Sequence, residues 1–285
     1  MSQTSDPSRY IMDAENAAEM ARLARQARVM TATVGLLPKE LALSPGQAAL
    51  DIGCGPGEWV LALAERFPGV EVAGIDISEI MTSYGRHLAR EQLFDSVYFK
   101  LMDVKAPLAF PDASFDVIHA RSIIGVMTPA TWPGLLAECV RILKPGGYLI
   151  GIEGDTAGTS TSPSLNHLLL LLMQCLHKLG HCYTEAGEHF GVTVRYPLLL
   201  REAGLSEIHR DVFFLDYSSS TPAHAEMVQD WAILFHLVTP LFVQLLNVSE
   251  TELAVLRARA IEEMNASNFC GGGFIQRAWG TKPAD

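Results

Sequence analysis

The segment ALDIGCGPG at residues 49–57 restricts the fold of this chain more than any other feature. Gly53, Gly55 and Gly57 occupy alternate positions directly after a short apolar stretch. Glycine allows the backbone to adopt positive φ and to approach a ligand closely. The apolar periodicity predicts a strand before the first glycine, a turn through the three glycines, and a helix over residues 59–67. Such a strand, turn and helix are typical of a loop that holds a nucleotide cofactor.

The spacing of the glycines indicates which cofactor the turn can hold. A dinucleotide fold uses G-x-G-x-x-G to place a pyrophosphate at the N-terminus of a helix, whereas here Asp51 precedes glycines in strict alternation. A carboxylate at this position repels a phosphate and attracts a cationic amino-acid group. The pattern therefore disfavours an NAD-dependent enzyme, which stays a less favoured alternative.

Four further segments contain apolar strands that follow the glycine turn in order. In chain order they are VEVAGID at residues 70–76, FKLMD at residues 99–103, FDVIHARSII at residues 115–124 and ILKPGGYLIG at residues 142–151. Together with the glycine turn, this ordered set resembles the motifs of the class I S-adenosylmethionine (SAM) dependent methyltransferases. The resemblance covers residues 41–152 and weakens on both sides.

The resemblance implies a SAM site at the ends of the predicted strands. In that family, the carboxylate that corresponds to Asp76 accepts hydrogen bonds from both ribose hydroxyls. The carboxylate that corresponds to Asp103 accepts from the adenine amino group. The expected cofactor contacts are Tyr10, Met20, Asp51, Gly53, Cys54, Gly55, Gly57, Asp76, Ile77, Met102, Asp103, Val104, Ala120, Arg121 and Ser122.

Strands and helices alternate through the core of the sequence. This alternation and the resemblance predict an α/β fold: a Rossmann-like, mostly parallel seven-stranded sheet with helices on both faces, plus an N-terminal helical lid and an inserted helical cap. A ligand should then lie at the carboxyl ends of the strands. The predicted regions are a lid at residues 1–40, a SAM-binding core at residues 41–152, a cap at residues 153–195, and a C-terminal part of the core with additional helices at residues 196–285.

The segments outside the core contain long apolar helices. One or two helices are predicted over residues 14–34, and in the family that the chain resembles such N-terminal helices often close over the cofactor. In that lid, Tyr10 is expected to reach toward the SAM carboxylate. An equally good alternative is that its ring packs, half-buried, against the start of the helix. Met20 or Arg22 would line the same lid.

Two other helices give the cap its apolar character. They are predicted over residues 165–179 and 223–246, the second broken near Pro240. Residues 208–215 and 274–280 are predicted as the last two strands, the final one antiparallel. The apolar surface of the helices favours a polyketide, terpenoid, aromatic or quinone-like substrate. The same surface also fits helices that pack on each other or across a dimer interface.

Composition excludes several other classes. Lys and Arg total 21 against 32 Asp and Glu, a formal charge of −11, which disfavours nucleic acid and anionic membranes as partners. The five cysteines show no C-x-x-C pair, so neither a disulfide framework nor a metal site is expected. The polar start of the chain and the short apolar run at residues 168–173 predict neither export nor membrane insertion. We expect a cytoplasmic monomer or homodimer.

Two absent motifs narrow the chemistry. SAM carries an electrophilic methyl group, so the protein mainly positions a nucleophile and excludes water. After the fourth strand the chain reads HARS, without the Asn/Asp-Pro-Pro-Tyr/Phe motif used on exocyclic amines and glutamine amides. No Pro-Cys nucleophile for cytosine C5 chemistry follows it. Methylation of O, N or C of a small molecule is what remains.

The candidate catalytic residues are Glu153, His181 and Tyr183. Glu153 follows the fifth strand, where residues face the cofactor methyl in this family, and is the first candidate for a general base. His181 and Tyr183 lie in the cap as a further base and a donor, although such a histidine is more often a hydrogen-bonded structural residue. Asp155, His177 and His189 are weaker candidates.

Two further alternatives stay open. The first is a SAM-binding protein that does not methylate, in which the cofactor is structural or assists a cyclisation or decarboxylation. The second, less favoured, is a methyltransferase that acts on protein or tRNA, against which the acidic charge and the apolar cap argue.

Overall fold

The computed structural model of the chain describes residues 17–156 and 158–284. The expected contact of Tyr10 with the cofactor therefore lies outside the described residues. Within them, all strands join one mixed sheet in the order β3-β2-β1-β4-β5-β8-β6, with β7 paired to the other edge of β8. The strands are β1 Ala48–Ile52, β2 Glu71–Asp76, β3 Val97–Leu101, β4 Phe115–Arg121, β5 Leu143–Gly154, β6 Thr159–Ser160, β7 Ser206–Asp216 and β8 Gly271–Thr281.

The sheet confirms the predicted α/β class. Strands β1 to β5 are parallel, and β8 is antiparallel to β5 and β7. The prediction of seven strands was wrong by one, because the described residues form eight. The additional strand, β6, has only two residues and pairs with Gly271 and Gly272. It lies in a segment rich in Gly, Ser and Thr, where no apolar alternation could indicate a strand.

Helices cover both faces of the parallel part and form a separate layer beyond β5. They are α1 Ala17–Val34, α2 Glu58–Arg66, α3 Glu79–Glu91, α4 Trp132–Ile142, α5 Pro163–Lys178, α6 Val192–Glu202, α7 His224–Leu237, α8 Thr239–Leu246 and α9 Glu250–Met264. Helix α9 is absent from the sequence prediction, although Ser249 and Glu252 form a capping box that marks its start. The predicted break near Pro240 is confirmed, since α7 and α8 meet at an angle of 48°.

Apolar residues of the central strands pack on both sides of the sheet. Leu50 and Ile52 belong to one buried cluster, and Ala49 belongs to the other. This burial on two faces is expected for parallel strands covered by helices. Among the described residues no single helix has the length and apolar composition to cross a membrane; α7 and α8 taken together reach both.

A buried ion-pair cluster joins the first helix to the additional layer. The guanidinium of Arg22 on α1 contacts both oxygens of Glu19 at 2.7 Å, and its Nη1 donates to Asp230 Oδ1 at 3.0 Å. All three side chains are buried. Because Asp230 belongs to α7, the cluster fastens α1 to the helix that follows the sheet.

The close approach of α6 to β5 gives a test of the packing. A Cβ atom on Gly151 would lie 2.3 Å from the ring of Tyr196. We expect Gly151→Ala to lower the free energy of unfolding by about 1–3 kcal/mol, because the added methyl group forces the ring of Tyr196 away from β5. Urea unfolding followed by circular dichroism measures the change.

The matched control is Gly134→Ala on α4. No atom lies within 4 Å of the Cβ that this substitution adds, and alanine favours a helix over glycine by up to about 1 kcal/mol. The control should be as stable as the wild type or more stable. Equal stability of Gly151→Ala and the wild type would contradict the close packing of Tyr196.

Candidate cofactor and substrate site

A cavity of about 360 Å³ opens at the carboxyl ends of the parallel strands. Residues that follow β1, β2, β3, β4 and β5 line one side of it, and residues of α1, α5, α7 and the end of β7 line the other. The predicted cofactor residues in its wall are Gly53, Cys54, Gly55, Asp76, Ile77, Met102, Asp103, Val104, Arg121 and Ser122, together with the catalytic candidate Glu153. The topology of the sheet thus brings most of the predicted site together.

The glycine turn forms the wall beside β1. Its backbone is fixed to β2, because the N–H of Cys54 donates to the carbonyl of Ile75 at 2.9 Å. Gly57 does not line the cavity; it precedes α2 with φ 89°, and a Cβ there would lie 2.6 Å from the ring of Phe99. Burial raises the pKa of the Cys54 thiol, so Cys54 acts as a small apolar residue rather than a nucleophile.

Asp76 is the last residue of β2 and lines the cavity. Its Oδ2 accepts a hydrogen bond from the N–H of Gly55 at 2.9 Å, and its Oδ1 accepts from the N–H of Ser78 at 2.9 Å. Burial raises the pKa of this carboxyl, while the two N–H donors oppose that effect. Each carboxylate oxygen can accept a second hydrogen bond, so Asp76 is oriented to bind a pair of hydroxyl groups.

The segment after β3 lines the next part of the cavity. Asp103 is exposed, and its Oδ1 accepts from the N–H of Lys105 at 2.9 Å. Met102 and Val104 lie on either side of it and contribute apolar wall. A carboxylate beside an apolar patch suits a flat heterocycle that carries an amino group.

Asp51 does not line the cavity, in contrast to its expected contact with the amino-acid moiety. Its Oδ1 lies 2.7 Å from Nδ1 of His119, and the imidazole stacks on Trp59 with 4.2 Å between ring centroids. Burial lowers the pKa of His119 despite the neighbouring carboxylate, so a neutral imidazole donates its Nδ1 proton to Asp51. Asp51 and His119 are therefore buried on the α2 side of the sheet, where the imidazole packs on Trp59.

Arg121 and Ser122 end β4 beside the glycine turn. Arg121 Nη1 donates to the hydroxyl of Thr31 on α1 at 2.9 Å, and burial lowers the pKa of its guanidinium. Ser122 adopts the left-handed conformation, φ 56°, and directs the chain into a short 3₁₀ helix, Ile123–Gly125. Met20 and Ala120 do not line the cavity; the α1 residues that do are Arg22, Leu23, Gln26, Ala27 and Met30.

His181 and Tyr183 do not line the cavity either, which corrects their expected position facing the substrate. The buried His181 donates from Nδ1 to the carbonyls of Met127 and Ile124, at 2.8 and 3.0 Å, and burial lowers its pKa. It therefore holds the segment after β4 in place. Tyr183 packs beside the main apolar cluster, and it is Phe190 from the same loop that contributes to the wall.

Glu153 lies near the end of β5 and lines the cavity. It is 3% exposed, and its Oε1 accepts from the N–H of Ile123 at 2.9 Å. Its Oε2 has no hydrogen-bond partner among the described residues. Burial raises the pKa of Glu153 to about 8, so at pH 7 the carboxyl is mostly protonated.

The side of the cavity opposite the strand ends is apolar, and we call it the apolar chamber. It is lined by Leu172 and Leu176 of α5, Phe190, Tyr217 after β7, and Met227, Trp231 and Leu234 of α7. All seven belong to one buried cluster. The sequence predicted apolar helices here but missed Tyr217 and Phe190, because no local pattern separates a cavity wall from ordinary core.

Comparisons with known proteins agree with this geometry. Residues 49–147 match a family model described as a methyltransferase domain. Methyltransferase str2 from Strobilurus tenacellus is 29% identical over 165 residues, which are 56% of this chain and 54% of that protein. A demethylmenaquinone methyltransferase from a Geobacillus strain is 33% identical over 117 residues, which are 40% of this chain and 48% of the relative. The chain spans about half the length of these relatives.

A solved structure shows the same architecture over nearly the whole chain. The geranyl diphosphate C-methyltransferase from Streptomyces coelicolor superposes with a TM-score of 0.51 and 16% identity, covering 95% of this chain and 86% of that chain. At this identity the likeness concerns the fold alone. The sheet order, glycine turn and acidic strand ends define an α/β protein of the class I methyltransferase architecture. The matched core, residues 49–147, is similar to a methyltransferase domain.

The raised pKa of Glu153 predicts a pH dependence of stability. The folded protein keeps the proton up to about pH 8, whereas the unfolded chain releases it near the ordinary value of 4.5. Unfolding therefore releases a proton between these values, and stability falls by up to about 1.4 kcal/mol per pH unit across that interval. Glu153→Gln should remove this loss, so the variant gains stability over the wild type as the pH rises from 5 to 8.5.

Urea unfolding at several pH values measures this difference. The matched control is Glu262→Gln, which removes an exposed carboxylate of α9 and should follow the wild type throughout. A constant difference between Glu153→Gln and the wild type from pH 5 to 8.5 would show that Glu153 is ionised in the folded protein.

Proposed function

We propose that this chain binds SAM in the described cavity and transfers its methyl group to O, N or C of a small apolar molecule. One observation carries the proposal: the acidic strand ends, Glu153 and the apolar chamber all line a single cavity. A site for a polar nucleotide therefore opens directly onto a site for an apolar acceptor.

The residues of the polar side fit the groups of SAM. Asp76 is oriented to accept from the ribose hydroxyls, and Asp103, between Met102 and Val104, suits the adenine. The guanidinium of Arg121, beside the glycine turn, offers a positive charge to the SAM carboxylate. When bound, SAM supplies a methyl carbon that is electrophilic because it is bonded to a positively charged sulfur.

Glu153 has the position and chemistry to move a proton. In the transfer, a lone pair of the acceptor forms the new bond to the methyl carbon, and the electron pair of the broken carbon–sulfur bond goes to sulfur. A hydroxyl or enol acceptor must also lose a proton, which Oε2 of ionised Glu153 can take. Because its pKa is about 8, the fraction of ionised Glu153 rises with pH.

The apolar chamber supports a substrate with an apolar body. Its walls come from α5 and α7, the helices whose composition led to the same expectation from the sequence. The name of the Geobacillus relative, a demethylmenaquinone methyltransferase, points to the same kind of substrate. The chain acts on it as a monomer or homodimer, without nucleic acid.

A cytoplasmic location completes the proposal. It is supported by the five cysteines, all of which are free thiols in the structure, as expected in a reducing compartment. The formal charge of −11 supports the absence of a nucleic-acid partner.

The cofactor site is tested by Asp76→Asn. The substitution removes the charge that strengthens hydrogen bonds from the ribose, and we expect the dissociation constant for SAM to rise at least tenfold. Isothermal titration calorimetry measures the affinity. The control is Asp95→Asn, which removes an exposed carboxylate in the turn before β3 and should bind SAM like the wild type. Unchanged affinity in Asp76→Asn would disprove this placement of the ribose.

Methyl transfer is tested with trideuteromethyl SAM and a metabolite extract. Mass spectrometry of the organic phase should show a labelled apolar product, formed faster at pH 9 than at pH 6.5. In Glu153→Gln the rate at pH 9 should fall and its rise with pH should disappear. Calorimetric binding of SAM without label in any fraction would favour the non-methylating alternative. Label on protein or RNA would favour the macromolecular one.

A further inference from the structure

We propose that Tyr217 and Trp231 form a subsite that binds a carbonyl or hydroxyl oxygen of an uncharged substrate. The inference rests on the proposed function and narrows its substrate class. The acceptor is then a neutral apolar molecule that carries a hydrogen-bond-accepting oxygen, and molecules with a carboxylate or a diphosphate in the chamber are excluded.

The first observation is a pair of donors with no acceptor. Tyr217 and Trp231 are more than nine-tenths buried and both line the apolar chamber. Among the described residues, neither the phenol oxygen nor the indole Nε1 has a hydrogen-bond partner. A buried donor without a partner destabilises the folded protein. In a cavity wall, a bound ligand can supply the missing acceptor.

The second observation is that the two donors lie side by side. The rings of Tyr217 and Trp231 are inclined at 60° with centroids 6.3 Å apart. The indole N–H lies close enough to the phenol oxygen to affect its pKa, yet the two atoms do not reach hydrogen-bond geometry. One oxygen atom placed against both groups can therefore accept two hydrogen bonds.

The phenol is a donor throughout the neutral range. Burial raises the pKa of Tyr217 to about 12, so the hydroxyl keeps its proton. An indole N–H is a donor only. Two such donors favour a ligand group with an acceptor oxygen and disfavour a group that can only donate hydrogen bonds.

The third observation is the distribution of charge around the cavity. The seven residues of the apolar chamber are uncharged. Three basic residues line the cavity wall. Arg22 is paired with Glu19 and Asp230, whereas Arg121 ends β4 and Lys105 follows β3, both on the side of the strand ends. An anion in the chamber would lose its hydration without gaining a counter-charge.

Three probes of similar size on the same naphthalene ring test the subsite by direct binding. They are 2-acetylnaphthalene with a ketone oxygen, 2-ethylnaphthalene with no oxygen, and 2-naphthoate with a negative charge, each titrated into the full chain saturated with S-adenosylhomocysteine. We expect the ketone to bind at least threefold more tightly than the hydrocarbon, and the carboxylate to bind most weakly. The proposal is overturned if either the carboxylate or the hydrocarbon binds as tightly as the ketone.

Two variants locate the effect. Tyr217→Phe and Trp231→Phe each remove one donor, and each should weaken the ketone about three- to tenfold while leaving the hydrocarbon within twofold. The control is Trp132→Phe, because Trp132 has an equally buried and unpartnered indole N–H away from the cavity. Equal losses for ketone and hydrocarbon, or the same loss in the control, would overturn the proposal.

Failure of the subsite is distinct from failure of the proposed function. The probe titrations involve no turnover, and thermal unfolding of each variant reports whether it folds. If a variant does not fold, the order of the three probes on the wild type still decides the proposal. Selective binding of the ketone in a protein that transfers no methyl group would support the subsite and refute the methyltransferase activity.

Discussion

The packing of Phe99 is the contact on which the geometry of the site depends. Its ring fills the space that a side chain would need at three glycine positions. A Cβ atom on Gly57, Gly74 or Gly85 would lie 2.6–2.7 Å from the ring. The three glycines belong to the turn, to β2 and to α3. One aromatic side chain of β3 thus fixes the spacing between the turn and β2, which carries the ribose-binding candidate, Asp76.

Buried polar groups lie both within this framework and along the cavity. Asp51 with His119, and Arg22 with its two carboxylates, form contacts that keep neighbouring elements in place, although Nε2 of His119 and Oδ2 of Asp230 have no partner among the described residues. Glu153, Tyr217 and Trp231 each leave a polar atom unpartnered within the described residues, and all three line the cavity. Unpartnered groups reduce stability, and their position beside the cavity is consistent with the trade of stability for function at binding sites.

The parts of the structure that follow from local pattern were predictable from the sequence. The glycine turn, the acidic strand ends and the break near Pro240 each depend on a few neighbouring residues. The position of Asp51 was missed, although strand alternation places it on the same face as Ala49 and therefore toward α2. The sequence analysis misplaced His181 and Tyr183 and missed Tyr217. The residues around these side chains come from distant segments of the chain, and no local sequence pattern indicates such contacts.

The ion pairs of Arg22 also determine how α1 can move. This helix lines the cavity and is held to α7 by one guanidinium between two carboxylates, all of them shielded from water. Moving α1 away from α7 would separate these charges in an environment that is shielded from water, which is costly. The cluster therefore holds the α1 residues that line the cavity in a fixed position relative to α7.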